Sequence, residues 1–319
     1  MFQMIYAYFT DINYDPEAFD TYKQKQSAFY DNMMREPNYY FTQELSALLN
    51  KDNPRFFGVV PDQKAWAATD YKLAYDKFKE RFANAADFEF FFVGNIDEAK
   101  FNEYVTKYLA SLPATSAPKE KTVDTGFRPK KEDIKKIFNK GTEPKSSVRI
   151  SYFGETKYDE KEALAMEALG EILTIKLVEQ LRETESGVYG IRAYGYLGKV
   201  PYGQYGFNIS FPCGPENAEK LTTSALNELQ KIVDKGPEAK DLSKFKEAEL
   251  LEYKKNLKEN QFWLNTFSNA YALETSADGI LKKEEKIKAL TAKEIQAVAK
   301  KYIGKDKIVG ILMPEEGTK

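Results

Sequence analysis

Two segments of the sequence follow the same order of secondary-structure signals, and this repetition constrains the fold more than any other feature. In residues 6–97 and again in residues 224–314, a turn precedes a helix that begins near an aspartate. A long helical stretch rich in lysine and tyrosine follows, then further helices, then an apolar run typical of a buried strand. We therefore predict two related α+β domains, each with a mixed or antiparallel sheet covered by helices on one face.

The two segments are separated by a stretch with few periodic apolar residues. It contains Pro118, Gly126 and Pro129 together with several lysines, a composition typical of a linker. We predict a first domain at residues 1–113, a linker at 114–133 and a complete second domain at 134–319. The strand, helix and hairpin signals of residues 134–223 have no counterpart in the first domain. We therefore expect the first domain to be a truncated copy whose natural start lies upstream.

Several elements can be placed individually. The apolar run at 88–93 favours a buried strand, and alternation at 148–152 favours a half-buried one. Asp159 and Glu162 resemble a helix capping box, and the helix that follows is expected to end near Gly187. Three more strands are predicted, at 188–195, 205–211 and 308–313.

Histidine is entirely absent from the 319 residues. This excludes catalytic triads built on histidine and all the common histidine-containing zinc sites. The single Cys213 excludes an intramolecular disulfide and a cysteine-rich metal site, and we interpret it as a buried apolar residue. We also find no EF-hand-type calcium loop and no phosphate-binding glycine-rich loop. The sequence therefore predicts no metal site and no catalytic nucleophile or base within this chain.

The charge balance names no partner. Lysine and arginine number 47 against 49 aspartates and glutamates, so no strong field favours nucleic acid or an anionic membrane. The longest apolar runs are shorter than the roughly 18 residues needed to span a bilayer, and we expect no membrane insertion.

Four short segments and one spaced pair of residues are distinctive. The segments are YAYFT, RFANAADF, FVGNID and YLASLP, and they occupy residues 6–10, 81–88, 92–97 and 108–113. They resemble the third domain of bacterial members of the pitrilysin/insulinase family of zinc peptidases, whose motif is the inverted His-x-x-Glu-His. The pair Arg182 and Tyr189, seven positions apart, resembles the arginine/tyrosine signature of the fourth domain. The resemblance covers essentially the whole chain, which is thereby identified as the C-terminal part of such a peptidase.

The resemblance implies a processing-peptidase/insulinase-like fold and a four-domain chamber whose first domain binds zinc. The zinc is therefore expected in a missing N-terminal half, either the same polypeptide or a separate subunit, and this chain alone is expected to be inactive. Extended peptides are the implied substrates, docked on a sheet edge near Tyr189. Arg182 and Tyr189 would reach the scissile peptide and stabilise the negative charge that develops on its carbonyl oxygen. Bacterial members are often exported, which favours the cell envelope or periplasm.

Other interpretations remain open. Without the family, an arginine at a helix end is an ordinary surface residue and a strand tyrosine is ordinary packing. The same fold also occurs as a scaffold or core-type subunit with no peptidase activity. A third interpretation is a free-standing peptide-binding module. A His-x-x-Glu-His motif in the upstream or a neighbouring reading frame would favour the peptidase over the scaffold.

Overall fold

The computed structural model describes residues 1–50, 52–304 and 306–315. Twelve α-helices occur in this part of the chain: α1 Phe2–Thr10, α2 Pro16–Arg35, α3 Pro37–Asn50, α4 Gln63–Ala67, α5 Tyr71–Phe82, α6 Glu98–Tyr104, α7 Glu160–Leu177, α8 Ala218–Lys235, α9 Ala239–Asn256, α10 Asn260–Ala272, α11 Lys283–Ala289 and α12 Ala292–Tyr302. Five strands occur there as well: β1 Ile134–Asn139, β2 Ser146–Glu155, β3 Arg192–Gly198, β4 Gln204–Cys213 and β5 Ile308–Met313.

The chain forms two compact units that interleave along the sequence. A helical unit comprises Met1–Asn32, Pro61–Val123 and Leu257–Ala277, and a sheet unit comprises Met33–Val60, Asp124–Asn256 and the described part of Asp278–Lys319. Each unit draws on both sides of the linker expected at 114–133. The division into homologous domains at 1–113 and 134–319 concerns the family's repeats rather than these compact units, and it stays a prediction.

The sheet unit is built on one mixed five-stranded sheet in the order β1-β5-β2-β4-β3. β1 runs parallel to β5, and the other three pairings are antiparallel. Ile150 of β2 lies opposite Ile209 of β4 and Val309 of β5, and all three are buried. This alternation places one apolar face of the sheet against α7, α8 and α12, whose buried residues share its core. The predicted α+β class with a mixed sheet is confirmed.

The opposite face of the sheet is covered only in part. Phe41 and Leu45 of α3 pack there against Phe138, Ile308 and Leu312 of β1 and β5. A Cβ at Gly310 would lie 3.0 Å from the Phe41 ring, so the absent side chain lets α3 approach β5 closely. On β2 the contacts include Phe153, which packs against this cluster, and Arg149, which lies over the Phe41 ring, whereas Arg192, Tyr194 and Tyr196 of β3 are exposed.

The helical unit packs largely through aromatic rings. Phe9 of α1 lies between Phe82 and Phe88, with ring centroids 4.9 and 4.8 Å apart, and Phe2 stacks on Phe92 at 5.3 Å. The strand predicted at 88–93 is wrong, because this segment forms no strand in the structure. A strand needs a neighbouring strand to form hydrogen bonds with its backbone N–H and C=O groups. The described residues of the helical unit contain no strand that could pair with this segment. Ring packing on α1 and α5 holds the segment instead.

Candidate functional site

The end of α7 positions Arg182. The helix begins at Asp159, whose carboxylate accepts a hydrogen bond from the Glu162 amide at 2.9 Å, and it continues without a break into a π-helical turn at Val178–Thr184. Within that turn Leu181 is fully buried, whereas Arg182 is exposed. The Gly187 amide donates a hydrogen bond to the Leu181 carbonyl at 2.9 Å and closes the turn. Such π-helical turns often occur at functional sites, where they change the direction of a side chain.

A bulge positions Tyr189. Val188 pairs with Cys213, and Arg192 pairs with Ser210, so three residues of one strand (189–191) lie opposite two residues of β4 (211–212). Val188 is buried, and the Tyr189 side chain that follows is 93% exposed. The strand predicted at 188–195 therefore begins later, at Arg192, and Tyr189 lies in the bulge that precedes edge strand β3.

Neither predicted site residue is held by another side chain. Among the described residues, no ion pair or side-chain hydrogen bond involves the Arg182 guanidinium or the Tyr189 hydroxyl. The nearby Glu185 is already engaged, because Lys220 Nζ lies 3.0 Å from it and Gln180 donates a hydrogen bond at 3.1 Å. Burial opposes ionisation of Glu185, but these hydrogen bonds outweigh it and lower its pKa. Two donors seven positions apart are thus exposed to solvent, Arg182 in the turn after α7 and Tyr189 beside edge strand β3.

No set of side chains suited to a metal ion is assembled within the described residues. The sequence has no histidine, and the described residues contain no group of three or more cysteine, aspartate or glutamate side chains that could hold one. Cys213 is buried, and burial raises the pKa of its thiol to about 11, so it is neutral near pH 7. This agrees with its interpretation as an apolar core residue.

Sequence reasoning did not single out the polar face formed by β2, β4 and β3. Arg149 and Ser151 alternate along β2 with the buried Val148, Ile150 and Tyr152, so the pattern was visible. The sequence pattern does not indicate that α3 covers only part of that face.

The fold and the sequence together define the class of protein. Residues 75–249, which are 175 of the 319, match the family described as the peptidase M16 inactive domain. The chain belongs to this family. This confirms the resemblance found in the sequence and its interpretation as a non-catalytic domain.

Two curated relatives are similar over most of the chain. The protein named "Zinc protease PQQL-like" from Arabidopsis thaliana is 23% identical over 252 residues, which cover 74% of this chain and 26% of that protein. The "Probable zinc protease PqqL" from Escherichia coli (strain K12) is 25% identical over 262 residues, which cover 76% of this chain and 26% of that protein. The chain thus spans about a quarter of the length of these relatives.

A solved structure has the same fold. The crystal structure of the periplasmic protease PqqL from Escherichia coli superimposes with a TM-score of 0.81 at 19% identity, over 98% of this chain and 34% of that one. That relative is periplasmic by its description. Within the described residues of our chain, no helix combines the length and the apolar composition needed to cross a bilayer.

Proposed function

We propose that this chain forms the non-catalytic wall of a peptide-binding chamber in a zinc peptidase and that Arg182 and Tyr189 stabilise the transition state of peptide cleavage. The observation that carries the proposal is the exposure of both side chains, seven positions apart, in a domain of the M16 family. The periplasm or cell envelope is the compartment that the proposal favours, by analogy with the relative described as periplasmic.

The chemistry asked of the pair is modest and specific. When a peptide carbonyl becomes tetrahedral, negative charge develops on its oxygen. A guanidinium and a phenol are both hydrogen-bond donors that can approach that oxygen. The π-helical turn and the bulge each fix the backbone from which one of these donors extends, so little reorganisation is needed when the charge forms.

The remaining catalytic parts are proposed to lie in a partner. Because the described residues assemble no metal-binding cluster, we expect zinc in an N-terminal half that carries His-x-x-Glu-His, either covalently joined or as a separate subunit. Extended peptides are the proposed substrates. Their backbone can add to edge strand β3, which is hydrogen-bonded to β4 on one side.

The test is to combine the chain with its His-x-x-Glu-His half and to follow cleavage of an internally quenched peptide. We expect Arg182→Gln and Tyr189→Phe each to lower kcat by roughly 10²–10³, the usual loss for one oxyanion donor, with a much smaller change in KM. Arg55→Gln and Tyr8→Phe, at exposed positions, serve as matched controls.

Three results would count against the proposal. Unchanged turnover in both site variants would remove the role of the pair. Equal losses in the control variants would show that the effect is not specific. Hydrolysis and stoichiometric zinc in the 319-residue chain alone would contradict its non-catalytic assignment.

A further inference from the structure

The sheet face that packs on α3 continues across β2, β4 and β3 as three cross-strand rows, here named the open face. α3 touches this face along β2, where Arg149 lies over the Phe41 ring and Phe153 packs against the α3 cluster. The residues of the open face are Arg149, Ser210 and Arg192 in the first row, Ser151, Asn208 and Tyr194 in the second, and Phe153, Gly206 and Tyr196 in the third. The rows differ in chemistry from one end to the other. The first is cationic, the second is polar and the third is aromatic.

The cationic row holds two arginines without a carboxylate partner. Among the described residues, no carboxylate oxygen lies within 4.0 Å of the guanidinium of Arg149 or Arg192. Arg149 is only partly exposed and lies over the Phe41 ring at 5.0 Å, and burial lowers its pKa. Arg192 lies 5.7 Å from the centre of the Tyr194 ring and acts on Glu171 only at longer range. A partly buried guanidinium without a counter-ion is unfavourable, and an arriving carboxylate would relieve that cost.

The aromatic row, together with Ser151 and Asn208 of the polar row, lines a groove of about 290 Å³. The Tyr196 ring lies directly against Gly206 of β4, and it can do so because Gly206 has no side chain: a Cβ there would be only 2.5 Å from the ring. Arg128 stacks on Tyr202 at 3.5 Å and is paired with Asp124 at 2.7 Å, so it adds surface area but little net charge. Phe153 and Tyr196 thus form apolar surfaces of this groove.

The distance between the two ends sets a spacing. Arg149 and Phe153 are four residues apart on one strand, which corresponds to about 14 Å at roughly 3.4 Å per residue. An extended peptide advances by about the same distance per residue. The two arginines stand on strands that flank β4, with backbones about 10 Å apart, so both side chains can converge above Ser210.

We propose that the open face binds an extended peptide with an acidic side chain between Arg149 and Arg192 and an aromatic side chain, four positions away, on Phe153 and Tyr196. The charge complementarity of the two unpaired arginines selects the acidic residue, and the groove selects the aromatic one. This proposal uses residues other than Arg182 and Tyr189 and does not depend on their proposed role.

The experiment measures fluorescence anisotropy of the 319-residue chain with labelled, terminally capped heptapeptides of glycine and serine. The first probe carries aspartate and phenylalanine four positions apart, the second replaces aspartate by asparagine, and the third places aspartate and phenylalanine side by side. The protein variants are Arg149→Gln, Arg192→Gln and Arg149→Lys, with the exposed Arg55→Gln as the matched control. Circular dichroism establishes that each variant is folded.

We expect the first probe to bind at least tenfold more tightly than either of the others. Each Arg→Gln variant should lose at least tenfold, Arg149→Lys should lose less, and Arg55→Gln should bind as the parent does. Raising the salt from 50 to 500 mM should weaken binding of the first probe far more than that of the asparagine probe. Absence of binding, equal binding of the acidic and amide probes, or equal losses in Arg55→Gln would each overturn the proposal. If Arg149→Gln does not fold, the exposed Arg192→Gln decides alone.

Discussion

Replacing Lys176 by methionine should destabilise the sheet unit by roughly 3–5 kcal/mol, the usual cost of leaving a buried ion without its partner. Asp241 of α9 is completely buried, and Lys176 Nζ lies 3.0 Å from its carboxylate. No hydrogen bond from another described residue reaches that carboxylate. The Lys176 side chain is itself only 15% exposed, so water cannot readily take its place.

The assay is urea unfolding at pH 7 followed by circular dichroism. The matched control is Lys244→Met, which removes a lysine 54% exposed and 3.5 Å from Glu179, an ion pair of the surface kind that contributes about 0–1 kcal/mol. Adding Asp241→Asn to Lys176→Met should recover part of the lost stability, because the isolated buried charge is then gone. The reasoning fails if Lys176→Met costs no more than Lys244→Met, or if the second substitution recovers nothing.

Two further predictions concern stability. Burial raises the pKa of Cys213 from 9.0 to about 11, so between these pH values the native thiol stays neutral while the thiol of the unfolded chain ionises. The neutral thiol therefore contributes roughly 2–3 kcal/mol to the free energy of unfolding. This contribution is fully present below pH 9 and is lost as the pH rises through 11. Urea midpoints should therefore fall more steeply between pH 9 and 11 in the parent than in Cys213→Ala, and parallel pH profiles would refute this. Thr291 and Glu294 form a reciprocal capping box at the start of α12, and Thr291→Ala should cost about 0.5–2 kcal/mol. The exposed Thr223→Ala of α8 should cost much less, and equal losses would contradict the capping argument.

The sequence predicts the elements whose signals are local. The Asp159 cap and the alternation in β2 needed only neighbouring residues, and β5 occupies the predicted range 308–313. Residues 88–93 carry a similar apolar run, yet they form no strand. The difference is not local, because β5 has β1 and β2 beside it. An apolar run indicates that a segment is buried, whereas strand formation also requires a neighbouring strand in the folded structure.

The candidate site was predicted unevenly for the same reason. The residue types and spacing of Arg182 and Tyr189 were readable through the family resemblance. The bulge that places Tyr189 outside β3 was not, since it arises from the offset between Val188 and Arg192 against β4. The open face could not be predicted, because its exposure depends on how much of the sheet α3 packs against, which is a tertiary contact.

The bulge at residues 189–191 has a consequence for how this chain can vary. It takes up one residue more than the opposite strand, so the inward alternation of Ala193 and Leu197 does not depend on the register of Val188. A deletion of one residue there would let the segment pair flush with β4 and would draw position 189 into the ladder, with the hydrophobic interior unchanged. The packing of the core and the position of the Tyr189 side chain can thus change independently during evolution.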